Sequence, residues 1–227
     1  MKNTFKIAVD GPAGSGKSSI SKLAARRLGI KYIDSGAIYR TITLYFLEKS
    51  GGSFDSCDAS LLSDSFSISQ KFTEDGTTYT YFNDRDVSND IRNETVVKNI
   101  SKISDNRQIR EFVNSLLRKW AEEESVIMDG RDIGTVVFPD ADVKLYIDAS
   151  ADVRADRRVK EYASMGKTVD VNDIKKQIII RDDQDRSRGF GALKQADDAV
   201  YVDTSFLTKD EVLEKIVQII KDNAKGI

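Results

Sequence analysis

Short apolar runs alternate along this chain with longer segments in which apolar residues recur at helical spacing. Residues 5–9 form an apolar run typical of a buried strand, and residues 19–28 repeat apolar positions every three or four residues. Gly29 ends that helix, a short strand follows, and residues 37–49 predict a second helix. Such alternation favours a parallel sheet with helices packed on its faces.

The same alternation continues to the end of the chain. Residues 93–124 predict two helices broken near residues 104–106, and residues 151–188 predict a hairpin whose second helix covers residues 172–186. The remaining apolar runs predict three strands and a C-terminal helix, at residues 125–128, 143–147, 200–202 and 209–223. We therefore predict an α/β fold with a parallel sheet of about five strands flanked by helices.

A β-rich segment interrupts this alternation. Residues 66–72 and 77–82 are alternating or β-rich, and the Asp75-Gly76 pair between them is a strong hairpin signal. A second turn at residues 83–86 allows a further short strand at Val87. Because antiparallel strands do not belong to a simple βαβ series, we predict a small β-rich insert between core elements.

The composition is typical of a soluble globular protein, with 40% hydrophobic and 32% charged residues and a formal net charge of −2. That charge balance argues against a nucleic-acid partner, which usually requires a basic face. The chain has no apolar run of the roughly 18 residues that a membrane span needs, and its first glycine-rich loop leaves no room for a secretion signal. We expect a cytoplasmic protein without a membrane partner, and nothing in the sequence requires more than a monomer.

Two scarce residue types exclude several kinds of chemistry. The chain has no histidine, which rules out mechanisms built on imidazole. Cys57 is the only cysteine, so an internal disulfide and a cysteine-based zinc site are excluded. Phosphoryl transfer survives both exclusions, because there the protein mainly positions reactants and neutralises charge.

The most specific local pattern is G-x-x-x-x-G-K-[ST], which lies between the first predicted strand and the first predicted helix. Its backbone N–H groups and the helix dipole favour an anion, here the phosphates of ATP. Lys17 would reach the β and γ phosphates, and the Ser18 hydroxyl would hold Mg²⁺. The expected ATP-binding residues are Gly11, Pro12, Ala13, Gly14, Ser15, Gly16, Lys17, Ser18 and Ser19. The alternative is a glycine-rich connection without a ligand.

Two further polar groups follow predicted strands. Ser35 and Arg40 lie at the start of the second helix and would address a second anion, unless Arg40 is simply a solvated helix residue. The Asp-Gly-Arg-Asp cluster at residues 129–132 lies where a strand ends, at the edge at which parallel sheets bind ligands. Asp129 would reach the metal through a water molecule, although a turn-forming Asp-Gly pair explains it equally well.

The predicted helical hairpin is rich in arginine. Helical spacing predicts two charged stripes, Arg154 with Arg157 and Arg158, and Arg181 with Asp185 and Arg188. Arginines that close over a transferring phosphoryl group suit the charge on its oxygens. The alternative is a solvated, salt-bridged hairpin, because acidic residues are interleaved with the arginines. The phosphate loop favours the arginine clamp.

Two anion sites and a closing lid favour a small-molecule kinase over an ATPase, because a lid that excludes water works against hydrolysis. These patterns do not identify the molecule that accepts the phosphoryl group, and UMP, AMP and a sugar acid are all alternatives. A nucleotide-sensing switch or a nucleic-acid-associated NTPase would also use a phosphate loop. Either one predicts a basic or aromatic interaction surface, which the net charge does not favour.

Five blocks of sequence resemble the bacterial cytidylate kinase family in order and spacing. They lie at residues 10–18, 34–40, 129–141, 181–188 and 199–205 and span nearly the whole chain. Many NTPases share the phosphate loop, whereas the Asp-Ser-Gly-Ala-x-Tyr-Arg and Gly-Arg-Asp-x-Gly-Thr-Val-Val blocks are far more specific. One departure is the Gly191-Ala192-Leu193 segment, where the family pattern has a proline before the leucine.

The resemblance implies a nucleoside-monophosphate kinase that catalyses ATP + CMP (or dCMP) → ADP + CDP (or dCDP) with Mg²⁺. It implies a single domain of the P-loop NTPase type with three parts: a core at residues 1–34, 125–150 and 192–227, an acceptor-binding part with the β insert at residues 35–124, and a helical lid at residues 151–191.

The resemblance also implies roles for individual residues. The substrate-binding set is Ser35, Tyr39, Arg40, Ser101, Arg110, Arg131, Asp132, Arg181, Asp185 and Arg188. Within it, Arg40 and Arg131 would hold the CMP phosphate. Ser101, Arg110, Asp132 and Arg188 would surround the cytosine with Ser35 nearby, and Arg181 and Asp185 would contact the sugar. Catalysis falls to Lys17, Arg131, Arg157 and Arg158, the last two as lid arginines on the ATP side.

Overall fold

The computed structural model describes residues 4–62 and 66–224, and within them strands and helices alternate as the pattern predicts. The strands are β1 (Lys6–Asp10), β2 (Lys31–Asp34), β3 (Ile68–Phe72), β4 (Thr78–Phe82), β5 (Arg85–Asp86), β6 (Val126–Gly130), β7 (Val143–Asp148) and β8 (Val200–Asp203). The helices are α1 (Lys17–Leu28), α2 (Ser35–Lys49), α3 (Glu94–Ser104), α4 (Arg107–Trp120), α5 (Ala151–Ser164), α6 (Val171–Ser187) and α7 (Lys209–Asn223). Short 3₁₀ turns lie at Ala59–Leu61 and Asp90–Arg92, and a π turn lies at Ile133–Val137.

Five strands form one parallel sheet in the order β2-β6-β1-β7-β8. The register pairs Asp10 of β1 with Gly130 of β6, and Asp34 of β2 with Asp129 of β6. The carboxyl ends of these three strands therefore meet at one edge, where parallel sheets bind ligands. This architecture, with helices on both faces, confirms the predicted α/β fold.

Apolar side chains fill both faces of the parallel sheet. One face packs on α2, α3 and α4 through residues that include Ile38, Ile103 and Val113, and the other packs on α1 and α7 through Ile20 and Ile216. Removing this much apolar surface from water supplies the main stabilisation of the fold. Among the described residues, no helix is long and apolar enough to span a bilayer.

The β-rich insert is a three-stranded antiparallel sheet in the order β3-β4-β5. The prediction of a strand at Val87 is wrong, because β5 comprises residues 85 and 86 instead. Asn83 and Asp84 have φ angles of 46° and 64°, so the chain reverses in two residues rather than four. Val87 follows the strand, and its backbone N–H donates to the carbonyl of Thr80 at 2.9 Å.

The second helix begins earlier than the apolar pattern predicts. The Asp34 carboxylate accepts a hydrogen bond from the backbone N–H of Ala37 at 2.8 Å, which caps α2 and lets it begin at Ser35. Strand β2 therefore runs directly into the helix without a separate turn. Gln70 of β3 joins the insert to this junction, since its side chain bonds both the N–H (3.0 Å) and the carbonyl (2.8 Å) of Asp34.

Helices α5 and α6 form the predicted hairpin. They share a small apolar cluster of Ala155, Ile174 and Ile178, separate from the two clusters on the parallel sheet. A buried ion pair between Arg154 and Asp182, 2.6 Å apart, joins the two helices. The division of the chain into core, acceptor-binding part and lid stays a prediction.

Candidate active site

The phosphate loop connects β1 to α1, and its glycines have backbone angles that residues with a side chain rarely adopt. Gly14 and Gly16 have φ angles of 77° and 86°, which glycine adopts without strain. Lys17 is buried, and its ammonium group donates to the carbonyl of Pro12 at 3.0 Å. Burial first, and the nearby charge of Arg131 second, lower the pKa of Lys17 to about 7.

Two arginines of α5 lie against this loop. Arg157 donates to the carbonyl of Ser15 (3.2 Å) and to the hydroxyl of Thr204 (3.0 Å). Arg154 donates to the carbonyl of Ala13 at 3.0 Å. The first helix of the hairpin is therefore bonded directly to the loop that would hold ATP phosphates.

Arg158 is not brought to the phosphate loop. It pairs with Glu161 of its own helix at 2.6 Å, and its guanidinium lies 4.9 Å from the ring centroid of Tyr162. It is partly exposed, and its predicted catalytic role stays a prediction.

The predicted metal-binding pair is in contact. The Ser18 hydroxyl donates to one carboxylate oxygen of Asp129 at 2.6 Å, and the Tyr32 hydroxyl donates to the other. Burial, followed by the nearby charge of Asp34, raises the pKa of Asp129 above its ordinary value. Among the described residues, no cluster of three or more acidic, cysteine or histidine side chains offers a metal cage.

This donor set fits Mg²⁺. Magnesium prefers hard oxygen ligands, and in nucleotide sites it uses one or two protein oxygens together with waters and substrate phosphates. A serine hydroxyl and a carboxylate at the foot of a phosphate loop supply that kind of contact. A full protein cage is not required.

The second predicted anion site lies at the β2–α2 junction. Arg40 donates to the Asp34 carboxylate at 3.0 Å, and Arg92 lies 3.9 Å from the same carboxylate. Burial alone would raise the pKa of Asp34, but the charges of these two arginines, together with the Ala37 N–H and the charge of Lys22, lower the pKa below its ordinary value. The Ser35 hydroxyl donates to the backbone carbonyl of Asp129 at 2.6 Å, which brings the junction next to Ser18 and Asp129.

A buried ion pair joins α4 to the segment that follows β6. Arg110 of α4 and Asp132 are 2.5 Å apart, and both side chains are almost fully buried. The Arg110 guanidinium also donates to the carbonyl of Ser104 (3.1 Å) and lies 5.2 Å from the ring centroid of Tyr39. Gly191, with a φ of 68°, passes so close that a Cβ there would overlap both charged groups.

Asp185 of α6 gathers three guanidinium groups. They belong to Arg131 (2.8 Å), Arg188 (2.7 Å) and Arg181 (3.3 Å). Burial favours the neutral carboxyl, but the three arginine charges and the hydrogen bond from Arg131 together hold the pKa of Asp185 below its usual range. The structure therefore brings the predicted stripe of Arg181, Asp185 and Arg188 together with Arg131 of the Asp-Gly-Arg-Asp cluster.

Ser101 is the predicted substrate residue with the weakest placement. It lies half-buried on α3, and none of the hydrogen bonds found among the described residues uses its hydroxyl. Ser104, almost one turn further along α3, contacts one of the arginines around Asp185 instead, because its hydroxyl accepts a hydrogen bond from Arg188 at 3.3 Å.

Other residues of the site escape the sequence analysis. They are Asp10, Tyr32, Asp34, Ser104 and Thr204. Asp10 accepts from the backbone N–H groups of Ile133 (2.8 Å) and Gly134 (2.7 Å), and burial raises its pKa to about 7. Asp10 and Asp34 each end an apolar strand, which is a local signal in the sequence. Tyr32, Ser104 and Thr204 each bond a residue that lies 84 or more positions away along the chain.

Comparisons with known proteins cover almost the whole chain. A family model described as "Cytidylate kinase" matches residues 7–222. The cytidylate kinase of Lactobacillus johnsonii is 44% identical over 222 residues, which is 98% of this chain and 96% of the relative. The cytidylate kinase of Streptococcus pneumoniae is 42% identical over 214 residues, 94% of this chain and 96% of the relative.

A solved structure of an uncharacterized protein from Eubacterium ventriosum has a TM-score of 0.50 at 15% identity, covering 96% of this chain and 98% of that one, and shows a similar fold. The sequence matches show the family as well as the fold. They extend from β1 to α7 and include every part of the site described above. This chain therefore belongs to the cytidylate kinase family.

Proposed function

We propose that this protein transfers the γ-phosphoryl group of ATP to CMP or dCMP, with Mg²⁺, under a lid formed by α5 and α6. As a member of the cytidylate kinase family it is an ATP-dependent kinase. The observation that carries the choice of acceptor is the buried Arg110–Asp132 pair beside Asp185 and its arginines. It offers a donor and an acceptor of hydrogen bonds side by side, as recognition of cytosine requires.

On the donor side, backbone N–H groups of the phosphate loop and the Lys17 ammonium would hold the ATP phosphates. Ser18 would bind Mg²⁺, with Asp129 contacting it through a water molecule, and the ion would neutralise charge between the β and γ phosphates. Arg157, already bonded to the loop carbonyl of Ser15, would add positive charge on the same side.

On the acceptor side, the Asp132 carboxylate would accept from the cytosine amino group while Arg110 donates to a ring acceptor. Uracil presents a carbonyl and an N3–H at these positions, so it would face the wrong partners. Arg40 and Arg131 would bind the acceptor phosphate. We propose in the same way that the base and the sugar of the acceptor contact six further residues. They are Ser35, Tyr39, Ser101, Arg188, Arg181 and Asp185.

The site contains no histidine, and the proposed reaction needs no side-chain base. The attacking group is a phosphate oxygen of CMP, which is already an anion at neutral pH. Catalysis would therefore depend on positioning and charge neutralisation, for which Lys17, Arg131, Arg157 and Arg158 are the proposed groups. A cytoplasmic monomer without a nucleic-acid partner stays a prediction from the composition.

An acceptor panel tests the proposal. We expect ADP release from Mg²⁺ and ATP to be fast with CMP or dCMP and slower by a factor of about 100 or more, as kcat/KM, with UMP and AMP. A coupled assay of ADP release measures all four acceptors under one condition. Equal rates for all four would contradict the acceptor assignment, and no release with any would contradict the kinase assignment.

ATP binding should take up a proton. With a pKa of about 7, Lys17 is mostly neutral at pH 8 in the free protein, and ATP phosphates favour its charged form. We expect an uptake of about one proton at pH 8 and much less at pH 6, where Lys17 is already charged. Calorimetry in two buffers of different ionisation enthalpy, corrected for protonation of ATP itself, measures it. Equal uptake at both pH values would contradict the assignment to Lys17.

A further inference from the structure

Tyr32 has a buried hydroxyl that the proposed chemistry does not use. Its side chain is fully buried near the end of β2, and its hydroxyl donates to one carboxylate oxygen of Asp129. The other carboxylate oxygen accepts from Ser18 at 2.6 Å. The plane of the Asp129 carboxylate is therefore fixed by one donor on each oxygen, and one of these donors belongs to the phosphate loop.

The ring of Tyr32 is itself held in place from the β-rich insert. Phe72 of β3 packs edge-on against it, with ring centroids 5.9 Å apart at an interplanar angle of 60°. Lys22 of α1 lies over the ring at 5.4 Å from its centroid. Gln70, two residues before Phe72, bonds both backbone groups of Asp34. Strand β3 therefore contacts β2 at two places. Gln70 bonds Asp34, and Phe72 packs on Tyr32, which bonds Asp129.

We propose that Tyr32 is a positioning residue that holds Asp129 in the orientation needed for the metal–ATP complex, and that Phe72 of the insert holds Tyr32. The proposal rests on the function proposed above, since it assumes a metal beside Ser18 and Asp129. Without the hydroxyl, one buried carboxylate oxygen loses its donor, and only the Ser18 hydroxyl still restrains rotation of the carboxylate about its last side-chain bond. Partners of this kind, which hydrogen-bond a metal-binding carboxylate, set metal affinity in other proteins.

The proposal differs from a purely structural role for Tyr32. A ring that only fills the core would affect stability alike in the presence and absence of a metal. A hydroxyl that orients Asp129 affects the metal–nucleotide complex and leaves binding of metal-free ATP and of CMP unchanged. Tyr32→Phe separates the two roles, because it removes the hydroxyl and keeps the ring against Phe72 and Lys22.

The test uses the full-length protein with Mn²⁺ as the spectroscopic probe and a non-hydrolysable ATP analogue. Electron paramagnetic resonance measures Mn²⁺ affinity in the ternary complex, and calorimetry with EDTA measures metal-free nucleotide binding. We expect Tyr32→Phe to weaken Mn²⁺ binding by roughly 10- to 100-fold, with metal-free binding unchanged and kcat recovering at high Mg²⁺. Phe72→Leu should weaken it in the same direction by less.

The matched control is Tyr201→Phe, on the half-exposed strand β8 at the far edge of the sheet, which should bind Mn²⁺ as the wild type does. Wild-type Mn²⁺ affinity in Tyr32→Phe would overturn the proposal, and so would an equal loss in Tyr201→Phe. If wild-type protein binds the nucleotide equally well with and without the metal, the proposed donor site itself fails, which is a different result from failure of Tyr32 alone.

Discussion

Replacing Lys17 by methionine should lower kcat/KM for phosphoryl transfer by about 10³-fold or more. The buried ammonium is already directed into the phosphate loop, where it donates to the carbonyl of Pro12 at 3.0 Å. Methionine keeps most of the volume but removes the charge that would face the β and γ phosphates. Because that charge is needed most as the γ-phosphoryl group transfers, kcat should fall more than KM for ATP rises.

The measurement is steady-state ADP release with CMP as acceptor, with kcat and KM for ATP determined separately. Lys215→Met on α7 is the matched control, since Lys215 is exposed and distant in sequence from the loop, and its kinetics should be those of the wild type. A thermal unfolding curve for Lys17→Met checks that the fold persists. A loss of less than about 10-fold would contradict the role of Lys17.

Replacing Asp132 by asparagine should lower kcat/KM for CMP by at least about 100-fold and lower the preference for CMP over UMP by at least about 10-fold. Asp132 accepts from Arg110 at 2.5 Å, and its carboxylate is the proposed acceptor for the cytosine amino group. The asparagine amide offers a donor instead, which suits the uracil carbonyl. Asp140→Asn is the matched control, because Asp140 is exposed, and it should change neither acceptor.

Loss of stability accompanies this substitution and must be separated from loss of recognition. Arg110 is almost fully buried, so removing its partner charge should cost about 3–5 kcal/mol in the free energy of unfolding. The double variant Arg110→Met with Asp132→Asn removes both charges and should regain much of that stability. It should not regain the preference for CMP. If the double variant phosphorylates CMP as the wild type does, the pair has no role in recognition.

The local sequence determined the elements of this protein. The apolar spacing predicts α7 at residues 209–223, where the structure has it, and the β-rich pattern predicts β3 and β4. The phosphate loop is also local, because its glycines, Lys17 and Ser18 lie within eight residues between one strand and one helix. The periodicity of apolar residues indicates which face of an element is apolar, and the residues of a loop motif indicate the backbone geometry of that loop.

Turn chemistry and helix starts were predicted less well, although they are also local. The two-residue reversal at Asn83 and Asp84 shifts β5 away from Val87. The Asp34 cap begins α2 two residues early. Both errors arise because one polar side chain or two positive φ angles decide where an element begins, and an apolar pattern does not record either of them.

Only the tertiary structure decided which partner each charged group has. Helical spacing places Arg181, Asp185 and Arg188 on one stripe, but Arg131 reaches Asp185 across 54 residues of sequence. Tyr32 reaches Asp129 across 97 residues, because β2 and β6 are neighbours in the sheet. The sequence by itself determined the phosphate loop, the strands of the parallel sheet and the charged stripes, since these depend on spacing within one element. Three other features depend on how distant elements pack, which no local spacing encodes. They are the carboxylate held by Tyr32, the arginines gathered on Asp185 and the burial of Arg110 with Asp132.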